Sequence, residues 1–414
     1  MIKRDKYNSY FYFILIYILI QPIIDISISY FLLKLHISIT PGLLIRNMAL
    51  IIAILYVIFI EKKHSLFLLL AGIYYAIHFI TNYFYKDLFN IYQETSYFSK
   101  YIFFIVVLFT INHNLRLADS SIMKEKLVKC LWIVMNIMSI CIIMATITHT
   151  GISSYGSEKI GQIGWFFSGT KISASMAILF PLSLLYSIQN YSNSKMLYLV
   201  LILCNIISMF ITGTKTSYMG LLLGLFAALA VVSFVKDNKL KPLIIVILAL
   251  VIGVGVYTPF SPVYRNIKIH QSWQEDTKPD LIFNGREIKV DKVQEDYLSS
   301  NIFRKMVGVG YGGDYTDVDY IIPVERDFHE LFFYYGIVGF LLLLYYPIKI
   351  TLSIVSSQWQ NRKKAKLEDT MLMTSLFAGF GSSFIAGHVL FAPSVSIYFA
   401  CVLSMLWYKR GKSR

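Results

Sequence analysis

Four side chains able to move a proton stand within one short stretch, Glu325-Arg326-Asp327-Phe328-His329-Glu330. On a helix, Glu325 and His329 would share a face, being four residues apart. That would place a carboxylate beside an imidazole, a usual arrangement for a general base. The same residues also fit an interfacial charge cluster or half of a metal site, although no further ligand set is evident in the sequence.

Two cations stand out elsewhere. Arg286 follows Asn284-Gly285 and precedes Glu287. Its planar fork matches the oxygens of a phosphate or carboxylate, and a surface ion pair with Glu287 or Asp291 is the competing reading. Lys215 sits in Thr212-Gly213-Thr214-Lys215-Thr216-Ser217, where glycine lets the backbone turn and a following helix could aim its first amides at an anion. A snorkelling lysine in a solvated turn would look the same. The cluster Gly308-Val309-Gly310-Tyr311-Gly312-Gly313 is not a nucleotide fingerprint, because no strand–helix unit surrounds it and the Lys-Ser/Thr pair of a P-loop is missing. It reads as a flexible turn.

These residues must be positioned by an apolar scaffold. The chain has 414 residues, of which 56% are hydrophobic and only 15% charged, a composition foreign to soluble domains. Apolar runs long enough to cross a hydrocarbon core of about 30 Å recur near 10–30, 43–60, 66–85, 97–112, 128–148, 172–189, 196–212, 216–235, 242–258, 331–348, 370–387 and 389–407. The expected fold is therefore all-α and polytopic, with about 12 transmembrane helices. Helices 1–9 fill residues 1–257, a long polar loop fills 258–330, and three more helices and a tail fill 331–414. The run at 97–112 is short and carries Lys100, and only Gly387-His388 separates the last two runs. Within the long loop Val290, Val293 and Tyr297 recur at helical spacing over Glu287–Met306, and the glycine cluster ends that pattern. A second polar loop, His149–Lys171, lies on the same side and is placed to meet it.

The net charge of +14 does not point to nucleic acid, because its distribution follows membrane topology. With the N-terminus inside, 22 of the 38 basic residues fall on inside segments, 7 on short outside loops and span edges (Lys34, Arg46, Lys86, Lys100, Lys159, Lys171, Lys215), and 9 in the long loop. By the positive-inside rule both termini face the cytoplasm and the long loop faces out. The run Arg362-Lys363-Lys364 then anchors on anionic lipid. Asp25, His78, Asn136, Asn205 and His388 are the polar residues within or beside the spans, where ionisable groups are costly and mark function. Cys130, Cys141, Cys204 and Cys401 lack metal-ligand spacing and read as packing residues.

The ordered set resembles a family. Thr212–Phe226 begins a glycine-leucine-rich span with a cation. Gly285-Arg286 and Gly308–Gly312 follow, and then a polar cluster runs into Gly336-Ile337-Val338-Gly339. Gly161-Gln162-Ile163-Gly164-Trp165-Phe166, leading to Pro181, is similar to the Gram-positive branch. Together these resemble the bacterial O-antigen ligase and polysaccharide polymerase family. The resemblance implies a membrane glycosyltransferase that uses glycans on a polyprenyl diphosphate, without cofactor or metal. It implies the plasma membrane as its place and membrane lipid around it, with a chain-length regulator and a flippase as candidate partners and action alone as the alternative. Family ligases carry His-Asn eleven residues before the first glycine of Gly-x-x-Gly, where this chain has Glu325. The implied base is Glu325 or His329, with Arg286 at the reacting diphosphate. Lys215, Lys171, Arg304 and Asp327 are the implied substrate-binding residues. A lysine at 215 in place of the commoner arginine keeps the charge and loses the fork.

The expected activity is polymerisation of lipid-linked repeat units for a capsule, exopolysaccharide or O-antigen. The alternatives are a ligase, which would transfer finished glycan to lipid A core, wall polymer or protein, and a transporter or flippase. A transporter predicts two similar halves and polar residues along the midplane, and neither is clear.

Overall fold

The computed structural model describes residues 2–37, 40–117, 120–155, 160–234, 241–272, 286–314, 324–360 and 367–411. Gly285, Lys159, Lys236, Lys239 and the run Arg362-Lys363-Lys364 lie outside the described residues.

Fifteen described α-helices and one small hairpin follow in order: α1 (Ile2–Leu33), α2 (Pro41–Tyr56), α3 (Ser65–Tyr85), α4 (Ile91–Leu117), α5 (Ser120–Ile147), β1 (Ser153–Tyr155), β2 (Ile160–Gln162), α6 (Gly169–Asn190), α7 (Lys195–Ile211), α8 (Lys215–Phe234), α9 (Lys241–Tyr257), α10 (Pro262–Ser272), α11 (Arg286–Ser299), α12 (Ile302–Val307), α13 (Asp327–Gln360), α14 (Leu367–Ile385) and α15 (Pro393–Gly411). Each of the twelve expected spans coincides with a helix. Seven of them, α1 to α6 and α13, are long and apolar enough to cross a membrane, and α7, α8 and α15 contribute shorter apolar helices. The chain is an all-α polytopic membrane protein.

The short run that carries Lys100 belongs to one of the most buried helices. α4 runs for 27 residues, well beyond 97–112, and is buried almost continuously from Tyr101 to Leu115. It packs on α15, while α6 packs on α5, α8 and α14. Lys100 lines a cleft that also holds Arg46 and Lys171. The outer helices instead expose apolar side chains such as Ile23, Met48, Phe59 and Leu341, the belt that acyl chains would cover.

Small residues and hydroxyls hold the bundle together, as expected where lipid removes the hydrophobic drive between helices. At Gly220 an added Cβ would collide with Ala177, and at Gly224 with Phe180, so α8 lies close on α6. Asn205 donates to Ser183 at 2.9 Å, Ser208 to Ser139 at 2.9 Å and Thr214 to Ser173 at 2.6 Å. Two of the buried polar residues are thereby explained as packing: Asn205, and Asn136, which donates to the Trp132 carbonyl at 2.8 Å.

The two polar loops do meet. The hairpin pairs Ser153 with Gln162, Ser154 donates to the Thr212 carbonyl, and α10 of the long loop packs on β2. In the long loop the expected helix over Glu287–Met306 is two helices, α11 and α12, broken at Ser300-Asn301. The Asn301 side chain caps the second by accepting from the Arg304 amide at 2.9 Å. Val290, Val293 and Tyr297 form the buried face of α11, as their spacing predicts.

The glycine cluster is a rigid joint and not a loose turn. The Val309 and Gly310 amides donate to the Phe333 and Tyr334 carbonyls, both at 3.0 Å. α13 breaks at Gly336 (φ 63°), facing Gly308 (φ 97°), and a side chain at either would strike the other segment's backbone. Tyr74 of α3 bridges the joint by donating to the carbonyls of Val307 and Tyr335. His78 adds a bond to the Val307 carbonyl at 2.9 Å.

Candidate functional site

α13 starts at Asp327, so Glu325 is not on it. Glu325 has a left-handed backbone (φ 60°), and the expected shared helical face with His329 does not form. The backbone of Glu325 is held by Glu330, whose carboxylate accepts from the Glu325 amide at 2.8 Å and from the Tyr97 hydroxyl at 2.5 Å. Asp327 is fully buried and accepts from the amides of His388, Val389 and Leu390 at 2.8 to 2.9 Å and from Ser383 at 2.7 Å. It thus fastens the α14–α15 turn beside Glu325. His388 is also left-handed (φ 61°). Such a backbone costs a non-glycine residue roughly 1–2 kcal/mol, and two of them face one another here.

The Glu325 carboxylate meets Arg286 Nε at 3.1 Å, Lys289 Nζ at 3.6 Å and His388 Nε2 at 4.0 Å. Burial pushes the Glu325 pKa up, but the charges of His388, Lys289 and Arg286 and the Arg286 hydrogen bond outweigh it and hold the carboxyl below the usual carboxylate range. Burial pushes His388 down to about 4, helped by Lys171 and other cations. His388 is therefore neutral near pH 7, and at that pH Arg286 and Lys289 keep Glu325 ionised. An ionised carboxylate beside a neutral imidazole can accept a hydroxyl proton. An arginine bonded to that carboxylate can be taken over by a more highly charged anion.

From His388 a cleft of about 390 Å³ runs between α1, α2, α4, α6 and α15. Its cations are Arg46, Lys100 and Lys171. A small adjoining pocket of about 50 Å³ contains Asp25, which is ion-paired with Arg46. Tyr97 and Tyr311 form part of the wall, with ring centroids 4.6 Å apart. Tyr311 is fixed by Glu94, which accepts its amide at 2.9 Å, and by Lys86, which donates to its carbonyl at 2.7 Å.

The structure brings Arg286 and Glu325 together, and Lys171 lines the cleft that His388 also borders. His329 lies instead on α13 against Phe333 and Phe384, with a buried Nδ1 that has no hydrogen-bond partner among the described residues. Arg304 is bonded through two nitrogens to Asp314 and also donates to the Val309 carbonyl, tying α12 to the glycine joint. Asp327 is saturated by protein donors. Lys215 heads α8, half-buried, where the Thr214 hydroxyl accepts from the Ser217 amide.

Sequence reasoning missed Lys289, undervalued His388 as a break between spans, and gave Arg46 and Lys100 no role. A signal was present: Arg46, Lys100 and Lys171 are cations within or beside apolar runs on the side that the charge bias leaves poor in them.

A family model described as "O-antigen ligase like membrane protein" matches residues 5–280 and, in an overlapping second stretch, 271–409. No curated protein matches the chain.

Proposed function

The chain belongs to the O-antigen ligase-like membrane protein family, and we propose that within it this protein is a polymerase of lipid-linked oligosaccharide repeat units for a surface polysaccharide. The observation that carries the reading is the pairing of Glu325 with Arg286 at 3.1 Å, within 4.0 Å of His388 and at the end of a basic cleft. The protein would sit in a bacterial plasma membrane with both termini cytoplasmic and Glu325 at the outer face.

In the resting site Arg286 neutralises Glu325. An incoming lipid diphosphate carries more charge and offers bidentate oxygens, so it draws the guanidinium away. Glu325 then loses its closest partner, and its proton affinity rises toward that of a useful base. It accepts the proton of the acceptor hydroxyl as that oxygen bonds to the anomeric carbon. The bond from that carbon to the diphosphate oxygen breaks. Arg286 and Lys215 stabilise the charge that accumulates on the departing diphosphate. Arg304 and Asp327 act by position, one fixing the glycine joint and the other the His388 turn. His329 is the alternative base.

A gene deletion complemented with wild type, Arg286→Ala or Glu325→Gln tests this, with lipid-linked and surface glycans run on a gel. Single repeat units on lipid with no ladder are expected for both variants. Full-length glycan stranded on its carrier would instead make the protein a ligase, the transfer named in the family description. A wild-type ladder from a well-inserted Arg286→Ala protein would refute the site.

A further inference from the structure

Exposed side chains change character along the long loop. On α11 they are polar as far as Asp291, Gln294 and Glu295. From Leu298 onward they are apolar: Leu298 is 59% exposed, Ile302 82%, Phe303 52% and Met306 39%. Ile302 is the most exposed large hydrophobic side chain among the described residues. Single apolar residues on a surface are ordinary, but four at one corner mark a surface that meets something apolar. We propose that this α11–α12 corner is seated in the bilayer leaflet on the side of the long loop, and that lipid contact there holds α11 in place. The proposal is independent of which glycan transfer the protein performs.

Position argues for lipid. α3 is long and apolar enough to cross a membrane. It presents Ile73, Ile77, Ile80 and Phe84, all at least 45% exposed, at the three- and four-residue spacing of one helix face. This stripe ends at Phe84, one residue before the helix does. α12 packs on α3 at that same end. Asn301 donates to the Tyr85 hydroxyl at 3.1 Å, and the Arg304 guanidinium lies over the Tyr85 ring at 5.5 Å. Ile302 and Phe303 directly follow Asn301, so the corner continues the lipid-facing stripe of α3. Tyr83, Phe84 and Tyr85 at this level match the aromatic girdle of a membrane–water interface.

The corner is one end of a lever. Tyr297 of α11 donates to the Lys305 carbonyl of α12 at 2.9 Å, so the two helices are fastened across their break. At the helical rise, α11 spans about 18 Å from Leu298 back to Arg286. There Arg286 meets Glu325 at 3.1 Å. Charged residues along the exposed face of α11 require water, and the apolar ones at its far end require lipid. That division suits an element that dips one end into an interface. A leaflet that grips Ile302 and Phe303 thereby limits how far Arg286 swings.

The test uses the full-length protein in nanodiscs that contain a phosphatidylcholine with a photoreactive group on its acyl chain, with labelled peptides mapped by mass spectrometry. Wild type should be labelled on α12 to within about threefold of the α3 stripe, with α11 unlabelled as far as Glu295. Ile302→Asp combined with Phe303→Asp places two charges at the corner. Both side chains are exposed, so the packed side of the loop is left intact. Labelling of α12 should fall about tenfold or more while α3 labelling persists, and amide hydrogen exchange along α11 should rise about tenfold. Ile302→Leu combined with Phe303→Leu should keep wild-type labelling and exchange. An unlabelled α12 in wild type overturns the proposal. Crosslinks between copies at the corner would then make it a dimer contact, and their absence would make it a water-facing surface. Lost α12 labelling with unchanged exchange along α11 overturns the hold on α11.

Discussion

Glu325 and His388 face each other with Oε1 and Nε2 4.0 Å apart, each on a left-handed backbone that its neighbours impose. Glu325 is held through its amide by Glu330, and His388 through its amide by Asp327. The pair is thus set by main-chain geometry and then surrounded by cations.

Glu325→Gln keeps the shape and removes the proposed base. Glycan transfer by purified protein should fall by about 10²- to 10⁴-fold, while thermal unfolding stays near wild type. Retained transfer would shift the base to His329, to be checked with His329→Gln.

Asp327→Asn should behave differently. It gives up a carboxylate that accepts four hydrogen bonds in a buried site, at a cost of about 3 kcal/mol or more. Activity and melting temperature should drop together. A variant that lost activity at an unchanged melting temperature would mean that Asp327 touches substrate.

The pH response follows from two shifts of the same sign. Glu325 is held below its usual range, so its stabilising pairs are complete above the unfolded carboxylate pKa and are lost as pH falls through the lower folded value. His388, pushed down to about 4, stays neutral in the fold while an unfolded histidine takes up a proton below about 6.5. Stability should therefore decline as pH falls from about 6.5 and steepen in the carboxylate range. Lys289→Ala removes one cation from Glu325 and should move the acid limb of the activity profile to higher pH. An unmoved limb would mean that another group sets it.

Gly308→Ala should be among the most damaging small changes outside the cleft. The residue has φ 97°, and its Cβ would collide with the Tyr334 carbonyl. Membrane yield should fall sharply, and Tyr74→Phe, which removes the bridging hydroxyl, should cost about 1–3 kcal/mol. Both can be read as melting temperature in detergent.

The helices were legible because each apolar run is a local signal of a span, and the Val290, Val293 and Tyr297 face because helical spacing is local as well. Arg286 stood out from its setting in the long loop, but its pairing with Glu325, thirty-nine positions later, did not. His388 was not, because its importance arises from Asp327, sixty-one positions earlier, and nothing near Gly387 announces that bond. Arg46, Lys100 and Lys171 come from three different helices, so no spacing links them. The expected Glu325–His329 pair failed because a left-handed residue stops a helix before it starts, and the residue type alone does not disclose that backbone.

The division between a main-chain floor and side-chain cations bears on how such a protein could change its diet. Glu325 and His388 are locked by backbone bonds and tolerate little, whereas Lys100, Lys171 and Lys289 are reached by single codon changes on separate helices. New charge patterns on the sugar or its carrier can be met by exchanging these lysines one at a time. On the proposed reading the reacting centre would be left undisturbed, so the scaffold would be suited to diversify its glycans without rebuilding its chemistry.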